Sequence, residues 1–323
     1  MTSRVDWEKQ MGRRFKLRDL HVFFTVVQRG SMGKAAQQLG VSQPAVSEVI
    51  ADLEHALGVR LLDRSPLGIE PTIYGSALLK RSLTVFDELK QSVRDIEFLA
   101  NPLVGEVRIG CPESHAFISS AIIDQLSRRY PDVVVHVVTA QPATLEFREL
   151  RERQVDLLLG RVSTPLVDDD VKAEILLEDR LLVVAGAKNP WTRRRKIELA
   201  ELMNERWLLL PSNNVISALI AQAFAAQGQA VPQESVSADV NVRIHLLATG
   251  RFLTIFPESL VHSVAERWSI KALPIDLGIR APPVGIVTLK NRTLSPVVQL
   301  FIDAARDVAK SIVGKSRAHR LGG

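Results

Sequence analysis

In the stretch KLRDLHVFFTVVQRG, apolar residues fall at Leu17, Leu20, Phe24 and Val27, with Gly30 just after. The i, i+3, i+7, i+10 spacing is one helical face, and glycine is a stop for it. Ser31 is placed to cap a second helix that carries Ala35, Ala36 and Leu39 and ends at Gly40. Its small alanines permit a close helix crossing. Ser42 is placed to cap a third helix, with Pro44 tolerated in the first turn. Val46, Val49, Ile50, Leu53 and Leu57 form the buried stripe of that helix, which turns Gln43, Pro44, Ser47 and Glu48 outward. Two helices joined by a tight turn and packed on a first one make a helix-turn-helix. The outward residues are then those that enter a major groove, where Gln43 and Ser47 can read base edges. An ordinary three-helix core with a polar outer face has the same spacing.

The segment VRLLDRSPLGIEPTIYG reads as two short strands around a Ser-Pro-Leu-Gly turn, a wing with Arg64 at its base. Arg64 either reaches phosphate or fixes the turn by a salt bridge. Thr72 can cap a long helix to about Leu99, in which Leu79, Phe86, Leu89, Val93 and Ile96 repeat at 7-3-4-3 spacing, interrupted by Ser82. Such a seam expects either a second copy of the helix or packing within its own chain. Asn101-Pro102 ends it. From Gly105 the pattern becomes β-rich runs (VRIGC, VVVHVVT, VDLLLG, LLVVAG, WLLL, FLTIF, VGIVTL). Helical stretches at 117–129, 143–152, 215–227, 240–249, 257–267 and 295–312 alternate with them, the pattern of an α/β domain.

Composition narrows the classes. The chain has 323 residues, 46% of them apolar, enough for two domains with real cores. Its single cysteine, Cys111, rules out a disulfide framework within the chain. No apolar run approaches the roughly 18 residues of a membrane span. The charged start MTSRVDWEKQMGRRFK has no apolar signal core, so a soluble cytoplasmic protein is expected, and not an exported solute receptor. Net charge is +5, and residues 1–66 hold ten Lys+Arg against seven Asp+Glu, with Arg13, Arg14, Lys16 and Arg18 clustered before the first helix. Gly33-Lys34 does not complete a phosphate loop, because Gly30 is too close and Ala35 replaces the metal-binding hydroxyl. No G-x-S-x-G, H-E-x-x-H or C-x-x-C occurs, and His115 and His136 lack ligand spacing. The expectation is no enzyme, no cofactor and no metal. Asp168-Asp169-Asp170 reads as a solvated loop rather than a cation site.

The string SMGKAAQQLGVSQPAVSEVIADLEHALGVRLLDR, followed by PTIYG and the long helix, resembles the LysR-type transcriptional regulators over essentially the whole chain. The resemblance implies a winged helix-turn-helix at 1–73, a linker dimerisation helix at 74–101 and an effector-binding domain at 105–313. That domain would be periplasmic-binding-protein-like, with lobe one at about 105–165 plus 282–313 and lobe two at about 166–281, joined by two crossovers. Residues 314–323 would be a basic, disordered tail. Gln43, Pro44 and Ser47 would lie near bases. Ser31, Lys34, Ser42 and Arg64 complete the DNA-binding set, with Lys34 and Ser42 near phosphate. Two positions depart from the family pattern. Leu62 stands where phenylalanine is common, and Leu67 where many members carry a second wing arginine, so a minor-groove contact by the wing tip is not implied. FDELKQSVRDIEFLANP and GEVRIGCPES are most similar to the galactose-binding-protein regulators, which are sugar-responsive, and to the protocatechuate-pathway regulators.

Ligands of open α/β sheets sit beyond the carboxyl ends of strands. The loops there supply Ser114, Gln141, Thr144, Arg161, Asn213 and Asn214 as effector-binding candidates. The family often has Ser or Thr at the position of Ser114 in contact with the effector. Ser114 or Asn213 could instead cap a helix, and Arg161 could pair with a nearby acid. The amides and hydroxyls suit a sugar or polyol, whereas Arg161 would suit the carboxylate of an aromatic or organic acid. The partners implied are double-stranded DNA with dyad half-sites, a small-molecule effector, further copies of the chain as a dimer or tetramer, and RNA polymerase. A low-specificity DNA-binding protein is the rival.

Overall fold

In the computed structural model, the described residues are 15–65, 68–101, 104–140, 147–162, 168–210, 215–232 and 234–321, with backbone alone at 215, 234, 235, 237 and 315–321. The chain divides into two compact units, Met1–Ser92 and Val93–Gly323. The first therefore takes in most of the long helix instead of ending at residue 73.

Unit one contains α1 (Leu17–Arg29), α2 (Met32–Leu39), α3 (Gln43–Leu57), the strands β1 (Leu62–Ser65) and β2 (Gly68–Pro71), and the greater part of α4 (Ile73–Ala100). Gly30 and Gly40 adopt left-handed φ of +63° and +66°, which lets the chain reverse between consecutive helices. Phe23, Ala35, Val46, Ile50, Leu53 and Leu61 are fully buried between the helices and the wing. The core face of α1 differs from the expected one. The core of this unit takes Val22, Phe23 and Val26 from it, with Val27 packed against them, while Leu20 is buried outside that cluster and Leu17 is 53% exposed. Phe24 points elsewhere, its ring 5.8 Å from that of Phe86 on α4. The helix is apolar on two sides, and spacing alone does not say which side meets which neighbour.

Unit two continues with β3 (Gly105–Cys111), α5 (Ala116–Arg129), β4 (Val133–Thr139), α6 (Arg148–Arg151), β5 (Leu157–Arg161) and β6 (Val171–Gly186). Next come β7 (Trp207–Leu209), α7 (Val215–Ala226), β8 (Glu234–Ser237), α8 (Val240–Ala248), β9 (Leu253–Pro257), α9 (Glu258–Trp268), β10 (Ile270–Ala272), β11 (Arg280–Leu289) and α10 (Pro296–Leu321). The strand order is β4-β3-β5-β11-β6-β9-β7-β8, with β10 also on β6. The two long strands cross between lobes. Val171–Leu177 of β6 pairs with β11 in the first lobe, and Leu181–Ala185 pairs with β9 in the second. Ile109, Ile118, Ile122, Phe301 and Ala305 centre the first core. The second lobe has cores on both faces, one around Trp207 and Phe224, the other around Leu208, Leu247 and Phe256.

Several expected boundaries shift. The first half of β6 belongs to the sheet of lobe one, although the sequence places the break at 165/166. Half of Val171–Arg180 is charged (Lys172, Glu174, Glu178, Asp179, Arg180), which hides the strand in the sequence. In the fold, Glu174 is matched by Arg306 at 2.6 Å and Arg180 by Glu258 at 3.2 Å. The helix expected at 143–152 is described only as the short α6, since 141–146 lie outside the described residues. The last helix continues through the expected disordered tail to Leu321. No helix among the described residues is long and apolar enough to cross a membrane.

Candidate DNA interface and effector cleft

At the start of α3, Ser42 Oγ accepts a hydrogen bond from the Ala45 amide at 3.4 Å, and at the start of α2 Ser31 Oγ accepts from the Lys34 amide at 3.5 Å. Both serines are N-caps whose hydroxyl protons remain available to donate outward. The stripe Val46, Ile50, Leu53 is buried, which leaves Gln43 and Pro44 exposed and Ser47 half-buried. The Gln43 amide oxygen lies 3.4 Å from the place a Cβ on Gly33 would occupy, with Ser31 Oγ 3.9 Å from the same point. The Gln43 side chain therefore lies beside the first turn of α2. Ser31 and Gln43 fall on one patch there, with Lys34 exposed next to Gly33. Arg64 is exposed on β1, with no ion pair among the described residues, and the turn beside it (66–67) lies outside them. Leu67 lies outside the described residues.

Three ties hold this face rigid. Glu54 Oε1 accepts from the amides of Leu61 at 2.7 Å and Leu62 at 3.2 Å, joining α3 to the wing. The Ile69 amide donates to Gly30 O at 3.0 Å, joining the wing to the end of α1. Thr72 Oγ1 accepts from the Gly75 amide at 3.1 Å and donates to Arg60 O at 2.8 Å. A Cβ on Gly75 would lie 2.0 Å from Leu61 O, so only glycine lets α4 dock there. Leu62, the departure from phenylalanine, is buried in the core. Sequence reasoning misses Glu54, because its partners are backbone amides that composition does not reveal.

The five seam positions of α4 split. Leu79 packs on the unit-one core, and Phe86 is covered by Phe24 and by His21, 5.6 Å away. Leu89, Val93 and Ile96 are 45%, 55% and 67% exposed, and Leu99 is 79% exposed.

In unit two, Ser114 sits half-buried in a 3-10 turn, Glu113–His115, at the carboxyl end of β3, with Oγ 3.0 Å from His115 Nδ1. Burial, reinforced by the charge of Arg161, pushes the His115 imidazole down to about 3. Arg161 ends β5, and its guanidinium is already matched to Asp179 at 3.1 Å and to Pro282 O at 2.6 Å. Asp179 also accepts from the amide of Ser259 at 3.1 Å and from its hydroxyl at 2.6 Å. One carboxylate therefore joins the end of β5, the crossing strand β6 and the start of α9. Of the two roles the sequence leaves open for Arg161, the pair with a nearby acid is present, to Asp179. Gln141, Thr144, Asn213 and Asn214 lie outside the described residues. Asp168 and Asp170 clamp Arg151 at 3.2 Å and 2.9 Å, so the acidic triplet is an ion-paired loop. Burial pushes the Cys111 thiol up to about 11, so it is an inert core group.

A wing and a bared recognition turn on one unit, carried by a long helix into a two-lobed α/β unit, define a transcriptional regulator with a DNA-reading head and an effector-binding domain. Residues 17–76 match the bacterial regulatory helix-turn-helix protein, lysR family, and residues 100–310 match the LysR substrate binding domain. The chain belongs to the LysR family, whose members are regulators and not enzymes. It is 27% identical over 296 residues to the HTH-type transcriptional regulator GbpR of Azospirillum brasilense, covering 91% of this chain and 86% of that protein. It is 27% identical over 300 residues to the HTH-type transcriptional regulator PcaQ of Agrobacterium fabrum, covering 92% and 96%. These are regulators of the two branches that the sequence resembles. A point variant of full-length OxyR from Pseudomonas aeruginosa shares the fold, with a TM-score of 0.64 at 20% identity over 90% of this chain and 95% of that one.

Proposed function

We propose that the chain binds an operator as a two-fold dimer, reads bases with Gln43, Pro44 and Ser47, and grips phosphates with Ser31, Lys34, Ser42 and Arg64. The observation that carries this reading is the bare first turn of α3, where buried Val46 and Ile50 anchor the helix and leave Gln43 and Pro44 exposed. The two serine caps present hydroxyls and helix N-termini, a ready phosphate cradle. Leu89, Val93 and Ile96, extended by Leu99, form the intermolecular seam, while Leu79 and Phe86 serve the chain's own fold. A tetramer and contact with RNA polymerase belong to the same reading.

The effector binds between the lobes of unit two, with Ser114 on the first. Ser114, Gln141, Thr144, Asn213 and Asn214 are uncharged and hydrogen-bonding, which supports a sugar. An aromatic or organic acid is the second reading, and it needs a cation other than Arg161, which Asp179 already occupies. The test is fluorescence anisotropy on the DNA upstream of the chain's own and neighbouring genes, against scrambled DNA at physiological salt. A preference of about 10³-fold or more supports a specific regulator. Equal binding to both favours the low-specificity protein.

A further inference from the structure

Arg193, Arg194, Arg195 and Lys196 run on from a 3-10 turn, Pro190–Arg193, and all four are exposed. Hydrogen bonds gather three further cations beside them. Asn189 Oδ1 accepts from the Trp191 amide at 3.0 Å, and Asn189 Nδ2 donates to Gly250 O at 3.1 Å. Arg251 is thereby set beside Lys188, whose Cβ lies 2.9 Å from the place a Cβ on Gly250 would occupy. Trp191 Nε1 donates to Glu205 Oε1 at 2.9 Å, and the Leu253 amide donates to Arg206 O at 2.9 Å. Lys188, Arg206 and Arg251 are exposed as well. At this end of lobe two β6 finishes and β7 and β9 start, since Ala185 pairs with Leu253 and Leu253 with Trp207. The patch is therefore opposite the crossing strands, away from the carboxyl ends of β7 and β9.

Several other exposed arginines of unit two are matched by acids. Arg128 meets Asp124 at 2.9 Å, Arg148 meets Glu152 at 2.7 Å and Arg306 meets Glu174 at 2.6 Å. In the patch Lys196 has Glu198 at 3.9 Å, whereas Lys188, Arg193, Arg194, Arg195, Arg206 and Arg251 form no ion pair among the described residues. The nearby carboxylates of Glu201 and Glu205 accept from the Glu198 amide and the Trp191 indole. Like charges this close repel, and a partner that supplies negative charge relieves them. Two of the guanidiniums lie by rings, Arg194 5.6 Å from the centre of Trp191 and Arg251 5.6 Å from that of Phe252. Such an arginine keeps N–H groups for an outside acceptor. Nucleic acid and acidic protein both supply the charge. A protein interface has an apolar centre inside a polar rim, but among the described residues no large apolar side chain of 186–206 or 249–253 is exposed. Cations without an aliphatic centre fit phosphates.

We propose that this end of lobe two is a second, sequence-independent binding surface for duplex DNA, separate from the winged head, with Arg193, Arg194 and Arg195 on the phosphates. It rests on the reading of the chain as an operator-binding regulator, whose head brings duplex to the protein.

The test uses the full chain filled with a stoichiometric amount of unlabelled operator duplex that just spans the half-sites. A labelled scrambled duplex is then followed by fluorescence anisotropy across a salt series. The filled protein is expected to bind this second duplex, less tightly as salt rises. The triple variant Arg193→Gln, Arg194→Gln, Arg195→Gln is expected to bind it about tenfold or more weakly, with a salt dependence flatter by about three counter-ions. Lysine at the same three positions is expected to restore the salt dependence, which a damaged fold would not allow. No second duplex on the filled protein, or equal binding by wild type and the glutamine variant, overturns the proposal, and so does a loss that the lysines fail to restore. Labelled poly-glutamate held by wild type and lost by the glutamine variant, with duplex binding unchanged, assigns the surface to an acidic protein and refutes the DNA reading. The operator reading fails separately, as equal affinity of the empty chain for operator and scrambled DNA. Wild type and the two variants are then compared on the empty chain.

Discussion

The DNA head and the effector unit handle polar side chains in opposite ways. In the head, Gln43, Pro44, Lys34 and Arg64 are exposed, and each lies on an element fixed by neighbours within a few dozen residues. In the effector unit, several charged groups are buried and paired across long stretches of chain. Asp156 meets Arg292, and its second oxygen accepts from the Arg108 amide at 2.8 Å. Asp179 reaches Ser259, and Arg161 reaches the carbonyl of Pro282. Charges at a solvent-facing turn are stabilised by water, whereas charges buried in low dielectric need partners.

The sharpest way to break this contrast is to unpair a buried charge. Asp156→Ala leaves Arg292, only 6% exposed, without its carboxylate. A loss of about 3–5 kcal/mol is expected in denaturant unfolding, with the ratio of operator to scrambled-DNA affinity unchanged. A change in that ratio would show that the two units are not separable in this way. The next effect is one of pH. His115 has its folded pKa near 3 against the usual 6.5, so the unfolded chain takes up a proton that the fold refuses. Stability contributed by the neutral ring is present above about pH 6.5 and declines as pH falls toward 3. The slope from this one group approaches about 1.4 kcal/mol per pH unit below 6.5, a loss of about 2 kcal/mol between pH 6.5 and 4.5. Unfolding measured from pH 6.5 to 4.5 should lose that slope in His115→Gln.

On the exposed side the effects are smaller and of another kind. Gln43→Ala should cost about 1–3 kcal/mol at particular bases while leaving scrambled DNA nearly unaffected. Lys34→Ala should weaken every sequence alike and flatten the salt dependence by about one counter-ion. Identical losses on every sequence for both variants would remove Gln43 from base reading. Smallest is Ser42→Ala, which deletes the cap on Ala45 and should cost about 1 kcal/mol of stability together with a modest uniform loss in DNA affinity.

Much of the head is legible because its determinants are local. Glycine stops, serine caps and the stripe Val46–Ile50–Leu53 act within one or two helical turns, and the structure has them as the spacing implies. The rotation of α1 is not legible. Phe23 and Phe24 are equally apolar, and only the docking of α4 assigns one to the core and the other to Phe86. For the same reason the heptad seam overcounts. A pattern shows that Leu79 and Phe86 need cover, not which surface supplies it.

In the effector unit the alternation of strands and helices and the turn that bears Ser114 can be read from the chain alone, since period and punctuation are local quantities. The roles of the charges come from packing. It gives Arg161 to Asp179, hides a half-charged strand by matching Glu174 and Arg180 to distant partners, and leaves Arg243 buried among apolar side chains without a carboxylate among the described residues. Composition counts charges, but their meaning depends on distance and dielectric, and both are set only when residues far apart in the chain are brought together.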